Sequence, residues 1–242
     1  MWRRAIIVLA IVFPLLIPAG SIAGVFRSAQ GYHISYPDNW QIATESDQHS
    51  VEEAAKHFGG QLDFTSQDVI IYNPHADPIP NVNVGVVAET MKASQESLST
   101  VLSGIRQQLA SVGATSTDLD GKLIRVGNYD ALSSTWTAHY GPKDLHQWQV
   151  VIPSGDVAFV ITCSASTANY AEAQQGFTQI VNSFTIPVEA ALSPEPSGES
   201  APGLSPAVRN IFIIGILGIL VIAVGLRFVR VKTPPPSAPR TP

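Results

Sequence analysis

The chain has 242 residues, of which 45% are hydrophobic, and its formal net charge is −5. Two dense apolar runs lie at its ends, and the remainder, about 165 residues, is long enough for one domain with a hydrophobic core. The single cysteine, Cys163, excludes a disulfide framework, a zinc site made of several cysteines and an iron–sulfur cluster. Because it lies deep in the chain, it also excludes a lipid anchor on an N-terminal cysteine.

The first apolar run is typical of a secretory signal. Two arginines precede the run over 5–18, and small residues up to Ala23 follow it. A positive start, a short apolar run and small residues before the cleavage point are the parts of such a signal, so we predict a signal peptide over 1–23, cleaved after Ala23. The alternative is an uncleaved membrane anchor, which the two prolines within the run disfavour.

The region 24–188 is predicted to form one extracytoplasmic domain, and its first half mixes strands with helices. Alternating apolar residues and turn signals predict strands over 31–37, 68–72 and 82–88. A short helix is predicted over 51–58. Ser94 is expected to cap a longer helix, which presents one apolar face made of Leu98, Val101, Leu102, Ile105 and Leu109.

The second half of the domain has the pattern of several strands followed by a helix. Strands are predicted over 122–126, 131–140, 146–152 and 157–163, and the last helix over 167–182. Turn signals separate the strands, and such short connections require antiparallel pairing. The predicted fold class is therefore α+β, an antiparallel β-sheet flanked by helices.

The hairpin around 141–142 contains two histidines, and its register decides whether they meet. We predict that Tyr140 lies opposite His146, because this register places apolar residues on one face and polar residues on the other. The alternative, with His139 opposite His146, mixes the two faces. The predicted register sends His139 and His146 to opposite faces of the sheet, which disfavours a metal site formed by both of them.

Three segments, taken in their order, resemble PsbP-like domains, which are named for the extrinsic protein of photosystem II. They are Tyr-His-Ile-Ser-Tyr-Pro-Asp-Asn-Trp at 32–40, Val-Gly-Asn-Tyr-Asp-Ala at 126–131, and a strand and helix over 159–184. The resemblance covers nearly all of 25–187 and implies an α/β/α sandwich with helices on both faces of the sheet. Members of the family include photosystem II subunits, bacterial lipoproteins and a Ran-GTPase-binding protein, so the resemblance also implies a largely non-enzymatic role.

The end of the chain is predicted to tether the domain to a membrane. A linker over 189–208, rich in proline, serine and glutamate, cannot form a core and is expected to be a flexible stalk. The segment 209–229 contains an uncharged run over 211–226, near the lower limit for crossing a bilayer, and we predict a single transmembrane helix there. A buried core helix is the alternative, which the linker and the basic tail on its two sides disfavour.

The basic residues after this helix place the proline-rich tail over 230–242 in the cytoplasm, by the positive-inside rule. We therefore expect a single-pass protein of the cell membrane, with most of the chain outside the cytoplasm. Within the linker, 194–197 (Pro-Glu-Pro-Ser) resembles the sorting signal of exosortase substrates, but its distance from the helix favours a plain stalk. The membrane helix and the missing lipid-bearing cysteine depart from the photosystem and lipoprotein members, which disfavours a photosynthetic role.

The charge of the domain and its histidines bear on its partners. Residues 25–188 carry sixteen Asp and Glu against seven Lys and Arg, a net charge of −9, and such an acidic surface disfavours nucleic acid. His49, Glu53 and His57 are spaced one helical turn apart, which is a weak signal for a metal site. The candidate ligands of a divalent metal are these three residues and His146. A solvated helix face is the simpler interpretation of the same spacing.

Other chemistry-bearing residues are predicted to have structural roles. The segment 118–121 resembles the start of a calcium loop but lacks the later glutamate, and it is predicted to be a hairpin turn. Cys163 is predicted to be a buried thiol, and Trp40, Trp136 and Trp148 are predicted to belong to the core. No serine-hydrolase, zinc-protease or phosphate-loop motif occurs in the sequence, so we expect no enzyme activity.

Together these patterns predict a membrane-tethered extracytoplasmic module that binds, or helps to assemble, a protein partner without catalysis. We expect no cofactor, and the expected partners are the membrane and one protein. The alternative is a metal- or small-ligand-binding extracytoplasmic domain that uses the histidines and carboxylates named above.

Overall fold

The computed structural model describes residues 22–48, 67–111, 113–140 and 143–187. No helix within these residues is long and apolar enough to cross a bilayer. The predicted helix over 51–58, the linker, the membrane segment over 209–229 and the tail lie outside the described residues. The predicted signal peptide also lies outside them, apart from its last two residues.

Within the described residues the chain forms nine strands and two long helices. The strands are β1 (Ile22–Arg27), β2 (His33–Pro37), β3 (Gln41–Ile42), β4 (Gln67–Tyr72), β5 (Asn81–Val87), β6 (Thr115–Val126), β7 (Tyr129–Tyr140), β8 (Lys143–Ser154) and β9 (Val157–Ser166). The helices are α1 (Gln95–Ser111) and α2 (Tyr170–Asn182). β1 and β2 form a two-stranded ribbon, and the other strands form one seven-stranded sheet in the order β3-β4-β5-β9-β8-β7-β6. All neighbouring strands are antiparallel, which confirms the predicted α+β class.

The sheet separates two hydrophobic cores, because successive residues of a strand point to opposite faces. Leu132, Val151 and Val160 lie opposite one another on β7, β8 and β9 and pack with α1. Val150 and Ile161 face the other way and pack with α2 and the β1–β2 ribbon. The two helices therefore lie on opposite faces of the sheet, as the sequence resemblance implied.

The local sequence accounts for the position of α1. Ser94 precedes the helix, and its Oγ accepts a hydrogen bond from the backbone N–H of Ser97 at 3.2 Å, so the predicted cap is confirmed. The apolar residues of the predicted face are buried against the sheet, apart from the partly buried Leu102. Gly121 on β6 lets α1 lie this close, because a Cβ there would be 2.9 Å from Leu98 Cδ1.

The segment 118–121 is not the predicted hairpin turn, because it lies within β6 at a β-bulge. The register with β7 shifts between Thr117 and Asp120, and Asp118 has a φ of 56°. A bulge and a turn both need a residue that tolerates a positive φ, so the same residue types occur in both. A bulge, however, bends the strand without reversing its direction. β6 consequently begins at Thr115, whereas the prediction began this strand at Lys122.

The register of the β7–β8 hairpin also differs from the predicted one, by three residues. Tyr140 lies opposite Lys143, and it is Thr137 that lies opposite His146. The paired ends of β7 and β8 are separated by two residues in the sequence, and so short a separation restricts the pairing of the strands. The predicted pairing of Tyr140 with His146 was therefore wrong.

Buried polar residues explain why the prediction failed. It assumed that burial separates apolar from polar side chains, yet Gln147 and Gln149 on β8 are only 0% and 2% exposed. In the observed register Thr137 lies opposite His146 and His139 lies opposite Asp144. Thr137 and His139 are two positions apart on β7 and therefore point to the same face. Both histidines consequently lie on the same face of the sheet, and not on opposite faces as predicted.

Six polar side chains form two rows across the central strands, on the face that bears α1. Each row runs carboxamide, hydroxyl, carboxamide: Gln147, Ser164 and Asn81 in one, and Gln149, Thr162 and Asn83 in the other. In each row the glutamine Nε2 donates to the hydroxyl oxygen beside it, at 3.2 and 3.3 Å. Three carboxamide oxygens of these rows, on Gln147, Gln149 and Asn83, have no hydrogen-bond partner in the described part of the chain. Since each unpaired buried polar group costs about 1–3 kcal/mol, this face of the sheet is less stable than an apolar one would be.

Candidate functional site

A cleft of about 190 Å³ lies between the turn after β2, the β4–β5 loop and α2. Its apolar lining comprises small residues, prolines and one indole. Its polar lining consists of carboxamides and a single carboxylate: Asn39, Asn73, Asn169, Gln175, Gln179 and Glu172. Lysine, arginine and histidine are absent from this lining.

The floor of the cleft is the indole of Trp40, which is 4% exposed. The backbone N–H of Trp40 donates to Pro37 O at 2.9 Å, which closes the turn that the sequence predicted here. The edge of the ring meets Phe177 with centroids 5.5 Å apart. Gly176 brings α2 onto the indole, because a Cβ at that position would be 2.8 Å from Trp40 Nε1. The prediction that Trp40 belongs to the core is confirmed, and its buried ring also forms the base of the cleft.

The wall opposite α2 is held in place by hydrogen bonds. Asn169, just before α2, donates through Nδ2 to the carbonyl oxygens of Asp77 at 2.9 Å and Pro78 at 3.4 Å. Asn73 Oδ1 accepts from the backbone N–H of His75 at 3.0 Å, which is an Asx turn at the start of the same loop. These two asparagines are therefore occupied in positioning the loop against the helix.

Three other polar side chains of the lining are available to a ligand. Asn39, Glu172 and Gln175 are exposed, and within the described residues none of them makes a side-chain hydrogen bond. Glu172 lies in the first turn of α2, where the helix dipole favours its negative charge. The cleft thus presents amide donors, amide acceptors and one carboxylate above an apolar floor, a combination suited to neutral or cationic polar groups and unsuited to phosphate.

The predicted metal ligands lie in two different parts of the chain. His49, Glu53 and His57 lie outside the described residues, so only His146 can be placed. Over the ranges that the structure describes, no group of three or more His, Cys, Asp or Glu side chains is arranged to hold a metal ion. The metal hypothesis therefore stays a prediction that depends on the three residues outside these ranges.

His146 is part of a contact between β8 and α2. Its Nδ1 lies 3.0 Å from Thr137 Oγ1, and its ring meets Tyr170 edge-on with centroids 4.1 Å apart. Burial lowers the pKa of His146, while the negative charge of Asp118 acts in the opposite direction. Burial likewise raises the pKa of Tyr170 to about 12, so its phenol stays protonated at neutral pH. This histidine is therefore mainly a neutral packing residue.

On the same face, three side chains form a chain of hydrogen bonds across β6, β7 and β8. His139 Nδ1 lies 2.7 Å from Asp144 Oδ1, and His139 Nε2 lies 3.0 Å from Thr117 Oγ1. The order hydroxyl, imidazole, carboxylate is that of a hydrolase triad. However, His139 and Asp144 are 31% and 51% exposed, so water competes with the hydrogen bond between them. We interpret the three residues as an exposed hydrogen-bond network on the surface of the sheet.

The remaining predictions about single residues are mostly confirmed. Cys163 is fully buried, and burial raises the pKa of its thiol well above the usual range, so it is not a nucleophile. Trp136 is 1% exposed. Trp148 is only partly buried, and its Nε1 donates to Ser133 Oγ at 2.9 Å.

Sequence reasoning missed the cleft, whose free polar residues were not among its candidates. Asn39 lies in the predicted turn directly before Trp40, but the sequence indicated no role for it. Glu172 and Gln175 are three residues apart on α2, so they share a helix face, and this was the one signal available. Nothing in the sequence indicates that this face lies beside the turn after β2.

No protein-family model matches the chain, and no curated protein matches its sequence. Solved structures do resemble it. The chain is similar to the cyanobacterial PsbP of Synechocystis sp. PCC 6803, with 12% identity and a TM-score of 0.49 over 70% of this chain and 95% of that one. It is also similar to a Bacteroides thetaiotaomicron protein, with 14% identity and a TM-score of 0.43 over 68% of this chain, and it spans 48% of that protein's length. A third similar structure is LpqN of Mycobacterium tuberculosis, described as involved in cell envelope biogenesis, with 17% identity and a TM-score of 0.41 over 64% of this chain and 82% of that one.

A PsbP is thus among the solved structures to which this chain is similar, in agreement with the sequence resemblance. At these identities the likeness concerns the fold alone. What the cleft binds depends on the side chains that line it.

Proposed function

We propose that this chain is a membrane-tethered extracytoplasmic module that binds a protein partner without catalysis. The cleft above Trp40 receives an extended segment of that partner. The observation that carries the proposal is the lining of the cleft, in which exposed carboxamides and one carboxylate surround a buried indole.

The chemistry of the cleft matches a polypeptide. A carboxamide offers the same donor and acceptor as a peptide group, so Asn39 and Gln175 can pair with the main chain of an extended segment. The small residues and prolines of the lining, with the small exposed part of the Trp40 indole, supply an apolar surface for one side chain of that segment. The one ionisable side chain of the lining, Glu172, is exposed, and the lining holds no second titratable group to work with it in acid–base catalysis.

The size of the cleft favours part of a protein over a free small ligand. Pockets for drug-sized molecules are about 300–1,000 Å³. The cleft measures about 190 Å³, which is enough for one large side chain and its neighbouring main chain. Glu172 at the rim and the domain's charge of −9 both favour a neutral or basic segment.

The predicted ends of the chain set where the partner lies. A signal peptide over 1–23 and a membrane helix over 209–229 would put the domain outside the cytoplasm. A flexible linker of twenty residues, 189–208, has a root-mean-square span of roughly 25 Å. We therefore propose a partner that is itself in or near the membrane, within that distance of its surface.

The first test is photocrosslinking in native membranes. A photoreactive amino acid in place of Gln175, in the full-length chain, should capture one partner, which mass spectrometry identifies after affinity purification. Glu172→Lys should reduce the yield roughly tenfold, because it reverses the charge at the rim of the cleft. Glu96→Lys is the matched control, since Glu96 is an exposed acid in the first turn of α1 on the other face of the sheet.

The two variants distinguish a partner that binds in the cleft from one that binds elsewhere on the surface. The expected result is a roughly tenfold lower yield of the partner with Glu172→Lys and an unchanged yield with Glu96→Lys. Equal yields with both variants would place the partner elsewhere and refute the proposal for the cleft.

The metal alternative has its own measurement. Equilibrium dialysis of the full-length chain against zinc, manganese and calcium should show no binding tighter than that of a carboxylate-rich control protein. Tight zinc binding that is lost on replacing His49, Glu53, His57 and His146 by alanine would favour the metal-binding function instead.

A further inference from the structure

The edge strand β6 is a second surface able to bind protein. It spans Thr115–Val126 and forms one end of the seven-stranded sheet, paired with β7 on one side only within the described residues. The opposite edge is the two-residue strand β3. Half of the backbone N–H and C=O groups of β6 therefore point away from the sheet and are able to pair with another strand.

The charges of β6 are arranged in two halves. Asp118 and Asp120 come first, and Lys122 and Arg125 follow. All four side chains are exposed, and none of them forms an ion pair with another described residue. When two copies of such a strand run antiparallel, the acidic half of each lies beside the basic half of the other.

We infer that β6 pairs antiparallel with β6 of a second copy of this chain, so that two sheets join into one. A two-fold axis perpendicular to the joined sheet keeps each face on the same side. Residues that lie opposite one another must then come from the same face of the strand. This condition leaves few registers to compare.

The register centred on Gly121 is the one that pairs opposite charges. It places Asp120 opposite Lys122 of the second copy, twice in the dimer, and Leu119 opposite Leu123. A register centred on Asp120 or on Lys122 places that charged residue opposite the same residue of the second copy. A register centred on Leu123 places Lys122 opposite Ile124, so that no opposite charges pair. Opposite charges across strands stabilise a pair and like charges destabilise it, so the first register is preferred.

The apolar side of the same register is also complementary. Leu123 is 41% exposed, and among the described residues only Val25, at 48%, is another large apolar side chain so exposed. Leu119 packs partly under α1, on the same face. In the pair, Leu123 of each copy covers Leu119 of the other and loses its contact with water.

The bulge in β6 does not interrupt this pairing. Asp118, with its φ of 56°, and Leu119 lie inside the bulge, and the register with β7 is regular again from Asp120 onward. Leu119, Gly121 and Leu123 lie on the α1 face, while Asp120 and Lys122 lie on the other. The residues from Asp120 onward therefore form a regular strand, and Leu119, at the end of the bulge, lies on the face that this alternation requires.

This contact is independent of the cleft. β6 lies at the opposite end of the sheet from the β4–β5 loop that forms one wall of the cleft. A dimer formed through β6 leaves both clefts open. Failure of the dimer would leave the cleft proposal standing, and the reverse is also true.

Exchanging the charges at Asp120 and Lys122 tests the inference. Self-association of the full-length chain in mild detergent is measured by sedimentation velocity. We expect the natural chain to self-associate. Asp120→Lys and Lys122→Asp should each weaken association roughly tenfold or more, because each sets like charges opposite one another twice. The double variant, carrying both changes, should restore it, since the pairs are then complementary again.

Three results would overturn the inference: a monomer at every concentration, association unchanged in both single variants, or no recovery in the double variant. A second measurement does not depend on charge. A chain carrying Asp120→Cys, mixed with one carrying Lys122→Cys, should form the mixed disulfide, while the buried Cys163 stays unreactive. Absence of that disulfide in an associated sample would refute the register.

Discussion

Gly176, in the middle of α2, tests whether the helix lies against Trp40 as closely as the structure shows. A Cβ at this position would be 2.8 Å from Trp40 Nε1 and 2.9 Å from Cε2 and Cζ2. Carbon atoms pack best at about 3.5–4.0 Å, so the helix and the indole would have to separate by roughly 0.7 Å. The indole cannot easily move, because it is 4% exposed and its edge meets Phe177.

Gly176→Ala therefore has two opposing effects on the free energy of unfolding. Alanine in a helix interior is favoured over glycine by about 1 kcal/mol. Overpacking a filled site costs about 1–3 kcal/mol. We expect the second effect to exceed the first, with a net destabilisation of about 1 kcal/mol. Urea unfolding followed by circular dichroism measures this difference.

The sign of the effect should change when the indole is made smaller. In a Trp40→Phe background the ring no longer fills the space beside the helix, and Gly176→Ala should then stabilise the chain by up to about 1 kcal/mol. Stabilisation of the natural chain by Gly176→Ala would refute the close packing of α2 on Trp40, and with it the floor of the proposed cleft.

Two further substitutions test the domain away from the cleft. The hydroxyl of Tyr129 accepts a hydrogen bond from the backbone N–H of Ile186 at 2.9 Å and donates one to the Ile186 carbonyl at 3.1 Å. Tyr129→Phe should therefore lower the free energy of unfolding by about 1–2 kcal/mol and speed amide hydrogen exchange at Ile186. An unchanged exchange rate would contradict the role of these two hydrogen bonds. Because burial lowers the pKa of His146 below its usual 6.5, the unfolded chain binds more protons, and the chain should lose stability as the pH falls through 6.5. His146→Gln should flatten this dependence between pH 7 and 5, and an unchanged slope would assign it to another group.

The cleft could not be derived from the sequence, because its parts are far apart in the chain. Asn39 belongs to the turn after β2, and Glu172 and Gln175 belong to α2 near the other end of the domain. Each was readable as part of a turn or of a helix. That they line one cavity follows from the packing of α2 onto Trp40, which is a tertiary contact.

The sequence by itself determined the elements whose signals are local. The apolar spacing after Ser94 predicted α1 and its buried face, and the strands predicted over 68–72 and 82–88 agree with β4 and β5 to one residue at each end. Local signals suffice there because helix periodicity, capping and strand alternation depend on neighbouring residues. The antiparallel α+β class followed from the short connections in the same way.

Only the tertiary structure decided the register of β7 with β8 and the path of β6 through 118–121. Register follows from which side chains are buried on each face, and here Gln147 and Gln149 are buried despite their polarity. Asp118 takes a positive φ in either a turn or a bulge, and the choice between them depends on the ladder with β7. Both outcomes rest on hydrogen bonds and burial between residues distant in sequence, which no local pattern contains.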